Sequence, residues 1–132
     1  MRGKGIFPSI NSCNILINSF CKIGKVNDAL RFLQDMIDRG LTPDLVTYNS
    51  LINGLCKNGR IQEALNLFNR LQAEGMRPNV VTYNTLISTF CYEDLFNDAC
   101  LLLFKGVSNG FIPNEITWSI LINCFVKKYQ RE

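Results

Sequence analysis

The chain has 132 residues, an apolar content of 47% and a formal net charge of +3, so it can bury a core and is not expected to be disordered. The small net charge excludes a strong overall positive field, and any nucleic-acid binding would have to depend on locally placed cations. No apolar run is long enough to cross a membrane, and no membrane partner is expected.

The pattern of cysteines indicates a packing role and not a disulfide framework or a metal site. The chain has six cysteines and no histidine, and no two cysteines form a C-x-x-C pair, so neither a disulfide framework nor a zinc site is predicted. Cys21, Cys56 and Cys91 recur at equivalent places on an apolar stripe, where cysteine behaves as a small hydrophobic residue. We therefore expect no metal and no cofactor.

Residues 1–9 contain neither the apolar core of a signal peptide nor the length of an amphipathic transit peptide. Their last five residues, Gly-Ile-Phe-Pro-Ser, are similar to residues 40–44, Gly-Leu-Thr-Pro-Asp. Residues 1–9 are therefore predicted to be the tail of a preceding unit.

A spacing of 35 residues dominates the rest of the chain. It relates Asn14 to Asn49 and Asn84. The same offset relates three cysteines, three alanines, three glycines and three prolines: Cys21, Cys56, Cys91; Ala29, Ala64, Ala99; Gly40, Gly75, Gly110; Pro43, Pro78, Pro113. A fixed period of this length is typical of repeat proteins. The sequence therefore predicts an all-α fold, an α-solenoid of helix-turn-helix hairpins with a 35-residue repeat.

Each unit opens with apolar residues at positions i, i+3, i+4, i+7 and i+8, which predicts a first helix with one buried face. In the four units these residues are Cys13, Leu16, Ile17, Phe20, Cys21; Tyr48, Leu51, Ile52, Leu55, Cys56; Tyr83, Leu86, Ile87, Phe90, Cys91; and Trp118, Leu121, Ile122, Phe125, Val126.

A second helix follows in each complete unit. Asp28 and Glu63 lie in its first turn, where the helix dipole favours an acid. Gly24 and Gly59 separate the two helices. A glycine at position 40 or 75, with a proline three residues later, ends the second helix.

Complete units are predicted over residues 10–44, 45–79 and 80–114, with 115–132 forming one further first helix. Terminal repeats of a solenoid normally carry polar outer faces, but here apolar faces are expected at both ends. The chain therefore resembles a piece of a longer array, for which we predict marginal stability or self-association.

The third unit departs from its neighbours. Tyr92 replaces the lysine found at 22, 57 and 127, and Gly106 stands where the neighbours have Met36 and Leu71. Glycine costs about 1 kcal/mol in helix propensity and is predicted to leave a packing gap. The third unit is therefore expected to be degenerate.

Two strings carry a family resemblance: Val-Thr-Tyr-Asn-Ser-Leu-Ile-Asn-Gly-Leu-Cys-Lys-Asn-Gly-Arg at 46–60 and Val-Thr-Tyr-Asn-Thr-Leu-Ile at 81–87. They resemble the pentatricopeptide repeat of plant organelle RNA-binding proteins, in the class built only of repeats of uniform length. The signature of the tetratricopeptide repeat, with its period of about 34 residues, is absent. The resemblance implies a single-stranded RNA partner and a role in RNA processing, stability or expression, in a mitochondrion or alternatively a chloroplast.

The resemblance also implies which side chains read bases. Helix-pair repeats can read one base each with two or three side chains, and the implied pairs are Asn14 with Asp44, Asn49 with Asn79, and Asn84 with Asn114. Because aspartate only accepts hydrogen bonds, an Asn/Asp pair suits the donor edge of uracil. By the family pattern Asn with Asn favours C with some U, so the implied target is U followed by two pyrimidines that are preferably C. Ser119 would begin a fourth reading.

Two further sets of contacts are implied by the resemblance. Val46, Val81 and Ile116 match residues that sandwich each base, whereas Asn11 occupies the equivalent place in the first unit. Lys22, Lys57 and Lys127 match phosphate-contacting lysines near the end of the first helix. Without the resemblance these would be ordinary residues of helix entrances and ends.

Alternatives stay open at this stage. Asp44, Asn79 and Asn114 can equally be helix caps, and the chain can be a protein-interaction scaffold or an inactive fragment. An enzyme is not expected, because the polar residues repeat along the chain and form no nucleophile and base constellation.

Overall fold

The computed structural model describes residues 8–130 and contains seven α-helices in that range. They are α1 (Ile10–Lys22), α2 (Val26–Asp38), α3 (Leu45–Lys57), α4 (Ile61–Ala73), α5 (Val80–Tyr92), α6 (Phe96–Ser108) and α7 (Glu115–Gln130). This part of the chain contains no strand. The predicted all-α solenoid of helical hairpins is confirmed.

The helices form two layers. The first helices of successive units, α1, α3, α5 and α7, contact one another in order, and each of the first three also packs against the second helix of its own unit. The second helices α2, α4 and α6 contact the first helix on either side. The apolar faces predicted from the repeat therefore meet between and within the hairpins.

Polar residues begin the first helices. Ser9, Asp44 and Asn79 are the N-caps of α1, α3 and α5, and their side-chain oxygens accept a hydrogen bond from the backbone N–H three residues later. Such caps satisfy a donor that the helix itself leaves unpaired. The second helices begin without a side-chain cap, and each has an acid in its first turn.

The turn within each hairpin keeps one geometry although its glycine is not constant. Gly24 and Gly59 adopt positive φ angles of 82° and 75°, and Asp94 adopts 63° at the equivalent place in the third unit. Aspartate is one of the few residues that tolerate this region. The closing bond from the N–H of Leu95 to the carbonyl of Phe90 measures 2.7 Å, against 2.8 Å in each of the other two units. The substitution at Asp94 therefore leaves the hairpin intact.

Burial of the first helices depends on their place in the stack. All five predicted positions of α3 are buried, as are four of the five in α5. In α1, Leu16 is exposed and Phe20 and Cys21 are partly buried, and in α7 only Leu121 of the five is buried. The prediction of one buried face is thus wrong for most of α7, because α5 and α6 cover only one side of this helix. The expected exposed apolar face is confirmed there.

The predicted packing gap at Gly106 is wrong. This glycine is buried, and a Cβ built on it would lie 2.7 Å from Cε1 of Tyr83. The Tyr83 ring stacks on Phe111 with centroids 4.2 Å apart. Phe111 occupies the place of Leu41 and Met76, so a larger side chain fills the volume that the smaller residue at 106 vacates. The third unit is repacked and not degenerate in its core.

The predicted tail at residues 1–9 lies outside the described residues except for Pro8 and Ser9. Of the helices described, none is long and apolar enough to span a membrane.

Candidate nucleic-acid interface

The predicted reader side chains meet in pairs at the three junctions between successive units. Nδ2 of Asn14 donates to Oδ1 of Asp44 at 3.2 Å. The equivalent bonds from Asn49 to Asn79 and from Asn84 to Asn114 measure 3.2 and 3.4 Å. Each bond joins a first helix to the residue that caps the next first helix. The structure therefore brings together every predicted pair, which we call the reader pairs.

A threonine that the sequence analysis did not single out organises each pair. Thr47, Thr82 and Thr117 are fully buried. The hydroxyl of Thr82 donates to Oδ1 of Asn49 at 2.7 Å and accepts the backbone N–H of Asn79 at 3.1 Å. Thr117 makes the same two bonds to Asn84 and Asn114, at 2.6 and 3.2 Å.

The threonine could have been found from its 35-residue recurrence and its place in the third helical position, where a capping box needs a side-chain acceptor. The first unit has Ser12 at this position, and Ser12 donates its N–H to the hydroxyl of Ser9. The Val-Thr-Tyr-Asn string thus combines a cap partner with a predicted reader.

These bonds orient the reader amides. Because Oδ1 of each first-helix asparagine accepts the threonine hydroxyl, its Nδ2 faces the cap residue and has one hydrogen left over. Oδ1 of the cap residue accepts both this amide and the threonine N–H. The outer group of the cap residue is Oδ2 in Asp44 and Nδ2 in Asn79 and Asn114. Within residues 8–130 no hydrogen bond engages these three outer groups.

The first junction therefore has a donor beside an acceptor, with Asn14 only 8% exposed, whereas the other two junctions have donors only and their asparagines on the first helices are partly exposed. Partial burial by itself would raise the pKa of Asp44, but hydrogen bonds from the backbone and side chain of Thr47 and from Asn14 outweigh it and leave the pKa below its ordinary value. Asp44 is thus ionised at neutral pH, so its outer oxygen is an acceptor.

The cap interpretation of Asp44, Asn79 and Asn114 is confirmed, since each accepts the N–H of the threonine three residues later. Capping consumes Oδ1 and leaves the outer group unused. Capping and reading are therefore compatible in the same residue.

The predicted base-sandwiching residues are exposed at the entrances of the first helices. Val46, Val81 and Ile116 are 57%, 53% and 60% exposed. Their neighbours Val80 and Leu45 are partly buried against the core. Asn11, at the equivalent place in α1, is exposed as well.

The predicted lysines lie at the opposite ends of the first helices. Lys22 and Lys57 line one cavity of about 280 Å³ between α1 and α3, with Asn18 and Asn53. Lys57 also lines a cavity of about 540 Å³ between α3 and α5, together with Asn84 and Tyr92. Lys127 is exposed near the end of α7, and no described cavity includes it.

A second repeating polar position was also missed. Asn18, Asn53, Ser88 and Asn123 follow the 35-residue spacing and lie four residues after the readers and Ser119. Residues four apart share a helix face, so reader, second polar residue and lysine form one stripe on α1 and α3, and on α5 Tyr92 takes the place of the lysine. Ser119 is exposed on α7 and begins the fourth stripe. The 35-residue recurrence of these polar residues is the sequence signal from which this position could have been predicted.

Residues 8–130 contain no group of three acidic, cysteine or histidine side chains able to hold a metal ion.

Comparison with known proteins gives a family match over almost the whole chain. Residues 8–57, 43–92 and 78–127 match the PPR repeat family. The crystal structure of the pentatricopeptide repeat protein PPR10 from maize is 30% identical over 92% of this chain, with a TM-score of 0.82. The chain spans 17% of the length of that protein. No curated protein sequence matches.

Two structures with bound RNA show the same fold. PPR10 in complex with an 18-nt psaJ RNA element has a TM-score of 0.83 and 21% identity, over 93% of this chain and 18% of that one. The PPR domain of Arabidopsis thaliana protein-only RNase P 1 in complex with tRNA has a TM-score of 0.79 and 16% identity, over 98% of this chain and 69% of that one.

Proposed function

This chain belongs to the pentatricopeptide repeat family, and from that premise we propose that it binds single-stranded RNA, with one base at each reader pair. The observation that supports this most directly is the outward donor and acceptor pattern of the reader pairs. Side chains whose orientation is already fixed lose little freedom on binding, which favours recognition.

The pattern also supports a sequence preference. Uracil presents an N3–H donor next to carbonyl acceptors, so it complements the remaining N–H of Asn14 and the outer oxygen of Asp44. Cytosine has an acceptor at N3 beside its O2 acceptor, so it complements the two amide donors of Asn49 and Asn79. The proposed core target is therefore U followed by two cytosines.

Exposed apolar side chains would hold the base planes. Val46 lies one turn before Asn49 on the same helix face, and Val81 follows Asn79 by two residues. A base bound at the second junction would thus lie between Val46 and Val81, and a base at the third between Val81 and Ile116. At the first junction Asn11 replaces one member of the clamp, so this base would be held less firmly.

The lysines would contact the backbone of the RNA. Lys22 and Lys57 line the same cavity and supply two cations without an acid among its lining residues. At the third unit Tyr92 lines the neighbouring cavity, and Glu93 follows it. Phosphate binding is therefore expected to be weaker at the third step, and each phosphate contact should add about 0.7 to the salt slope.

The free energies of stacking and association limit the RNA affinity that three reader pairs can give. Base stacking contributes about 1–3 kcal/mol per base, whereas association costs about 4–15 kcal/mol. Binding by this chain alone should be weak. We place its role in RNA processing, stability or expression within a plant organelle, a mitochondrion or alternatively a chloroplast, and assign it no catalytic step.

The proposal is tested by exchanging the outer group of a cap residue. Fluorescence anisotropy with short single-stranded RNAs containing U-C-C, U-U-U or A-G-G should show a preference for U-C-C. Asp44→Asn should shift the preference to C-C-C, and Asn79→Asp should shift it to U-U-C. Asn69→Ala, on the exposed face of α4, serves as the control and should change nothing.

Equal binding to all sequences by folded protein, or a preference that neither exchange moves, would contradict base reading. That outcome would favour the alternative of a protein-interaction scaffold, and absence of any binding would favour an inactive fragment.

A further inference from the structure

A second set of contacts between the first helices recurs at every junction, near the ends of these helices, and pairs residues 33 positions apart. At the first junction Cys21 packs on Gly54, and a Cβ built on Gly54 would lie 2.8 Å from Cβ of Cys21 and 2.5 Å from its sulfur. At the second junction the equivalent residues are Cys56 and Thr89, and the Thr89 side chain partly offsets the rise in the pKa of Cys56 that burial causes. The residues at these places therefore face each other directly.

The third junction places two thiols at this contact. Cys91 on α5 is partly buried and Cys124 on α7 is buried. After burial, the neighbouring thiol of Cys124 is what raises the pKa of Cys91, and both are free cysteines. No other junction has a cysteine on both sides.

A disulfide needs Cβ atoms about 3.5–4.5 Å apart. At the first junction glycine lets the two helices approach until a Cβ built on Gly54 would lie 2.8 Å from Cβ of Cys21. The same register of 33 residues puts Cys91 and Cys124 at facing positions of neighbouring helices, where two real side chains need a wider separation than 2.8 Å. We propose that Cys91 and Cys124 form an oxidation site, at which a two-electron thiol oxidant joins α5 to α7 by a disulfide.

The reaction with the diazene oxidant diamide balances without a further reactant. The two S–H bonds break and one S–S bond forms, while both protons and the electron pair pass to the N=N bond, which becomes a hydrazine. A thiolate makes the first attack, so the rate should rise about tenfold per pH unit below the thiol pKa. Burial and then the neighbouring thiol of Cys124 raise the pKa of Cys91 to about 12, which makes oxidation slow at neutral pH.

Cys100 on α6 is the competing thiol. It is partly buried, and Cys124 contributes to raising its pKa after burial. Cleavage after glutamate separates the three candidates, because Cys91 falls in fragment 75–93, Cys100 in 94–115 and Cys124 in 116–132. The experiment is diamide treatment of the folded chain, alkylation of remaining thiols in denaturant, cleavage and mass spectrometry.

The expected result is a cross-link between fragments 75–93 and 116–132 that a reductant removes, with the other four of the six cysteines alkylated. The thermal unfolding midpoint should rise on oxidation and fall back on reduction. Alkylation of both cysteines, a link from 116–132 to 94–115, or a link between two chains would overturn the assignment.

Matched variants come from the neighbouring junction. Cys124→Thr reproduces the contact of Cys56 with Thr89, so it should fold and lose the cross-link. Thr89→Cys places a thiol against Cys56 and should add a cross-link between fragments 1–63 and 75–93. A cross-link that persists in Cys124→Thr would overturn the proposal. The site does not depend on RNA binding, and its test uses no RNA.

Discussion

Replacement of Thr82 by valine tests whether the buried threonine holds the junction together. The hydroxyl of Thr82 is fully buried and makes two bonds, accepting the N–H of Asn79 and donating to Oδ1 of Asn49, with Oδ1 of Asn79 as a longer second acceptor at 3.0 Å. Valine keeps the shape of the side chain but removes both. Each such bond contributes about 1 kcal/mol net, and leaving buried partners unsatisfied costs more. Since Asn49 and Asn79 can still reach water, we expect a loss of about 2 kcal/mol.

The measurement is the free energy of unfolding from urea titration followed by far-UV circular dichroism. Thr85→Val is the matched control, because the hydroxyl of Thr85 donates only to the carbonyl of Val81 in the same helix. This carbonyl also has a backbone partner in the helix, so the control should cost less than about 0.5 kcal/mol. Equal costs for the two variants would refute the network as a source of stability.

Three further predictions follow from other parts of the structure. Gly106→Ala should destabilise the fold by about 1–2 kcal/mol in urea titration despite better helix propensity, since its Cβ would contact the Tyr83 ring. The additional change Phe111→Leu should recover part of the lost stability. A single variant that is more stable than the wild type would contradict this packing. Asp44 has a lowered pKa, so the stability that its ionised carboxylate contributes is complete above the unfolded-state pKa of about 4 and is lost as the pH falls through the lower folded value. The difference in unfolding free energy between the wild type and Asp44→Asn should therefore change only in this acidic range. A difference that stays constant with pH would contradict this prediction. Ile122 is 59% exposed on α7 beside Trp118 and Phe125, so Ile122→Lys should weaken concentration-dependent self-association in sedimentation velocity without loss of helicity; a strictly monomeric wild type would disprove that association.

Much of the fold could be predicted because each helix carries its own local signals. The apolar spacing places the first helices, and Gly24 and Gly40 mark turns that need positive φ angles. The repeat then supplies the stacking order, since only a neighbouring unit can cover the face that includes Tyr48 and Leu51.

What could not be predicted depends on pairs of residues and on position in the stack. Comparison of equivalent positions predicted a packing gap at Gly106. The packing there depends also on Phe111, five residues later, and on Tyr83 of another helix, which together fill the space. The exposure of Phe125 follows from the position of α7, which among the described helices contacts only α5 and α6, and not from its own sequence. Thr82 was missed because a buried hydroxyl needs partners from two units, which no single helix pattern displays.

The same bonds connect stability with selectivity. In each reader pair Oδ1 of the cap residue accepts hydrogen bonds from the helix N–H and from the amide of the first-helix asparagine. Only the outer group of the cap residue can therefore face a base. Exchange between aspartate and asparagine changes this outer group and keeps the inner oxygen. Asp44→Asn and Asn79→Asp should therefore alter base preference and keep the inner bonds, although Asp44→Asn also loses the stability that the ionised carboxylate contributes at neutral pH. Thr82→Val should first lower the free energy of unfolding, because it removes the buried bonds of the hydroxyl. The amide of Asn49 is then free to turn, so selectivity at the second junction is lost as a consequence.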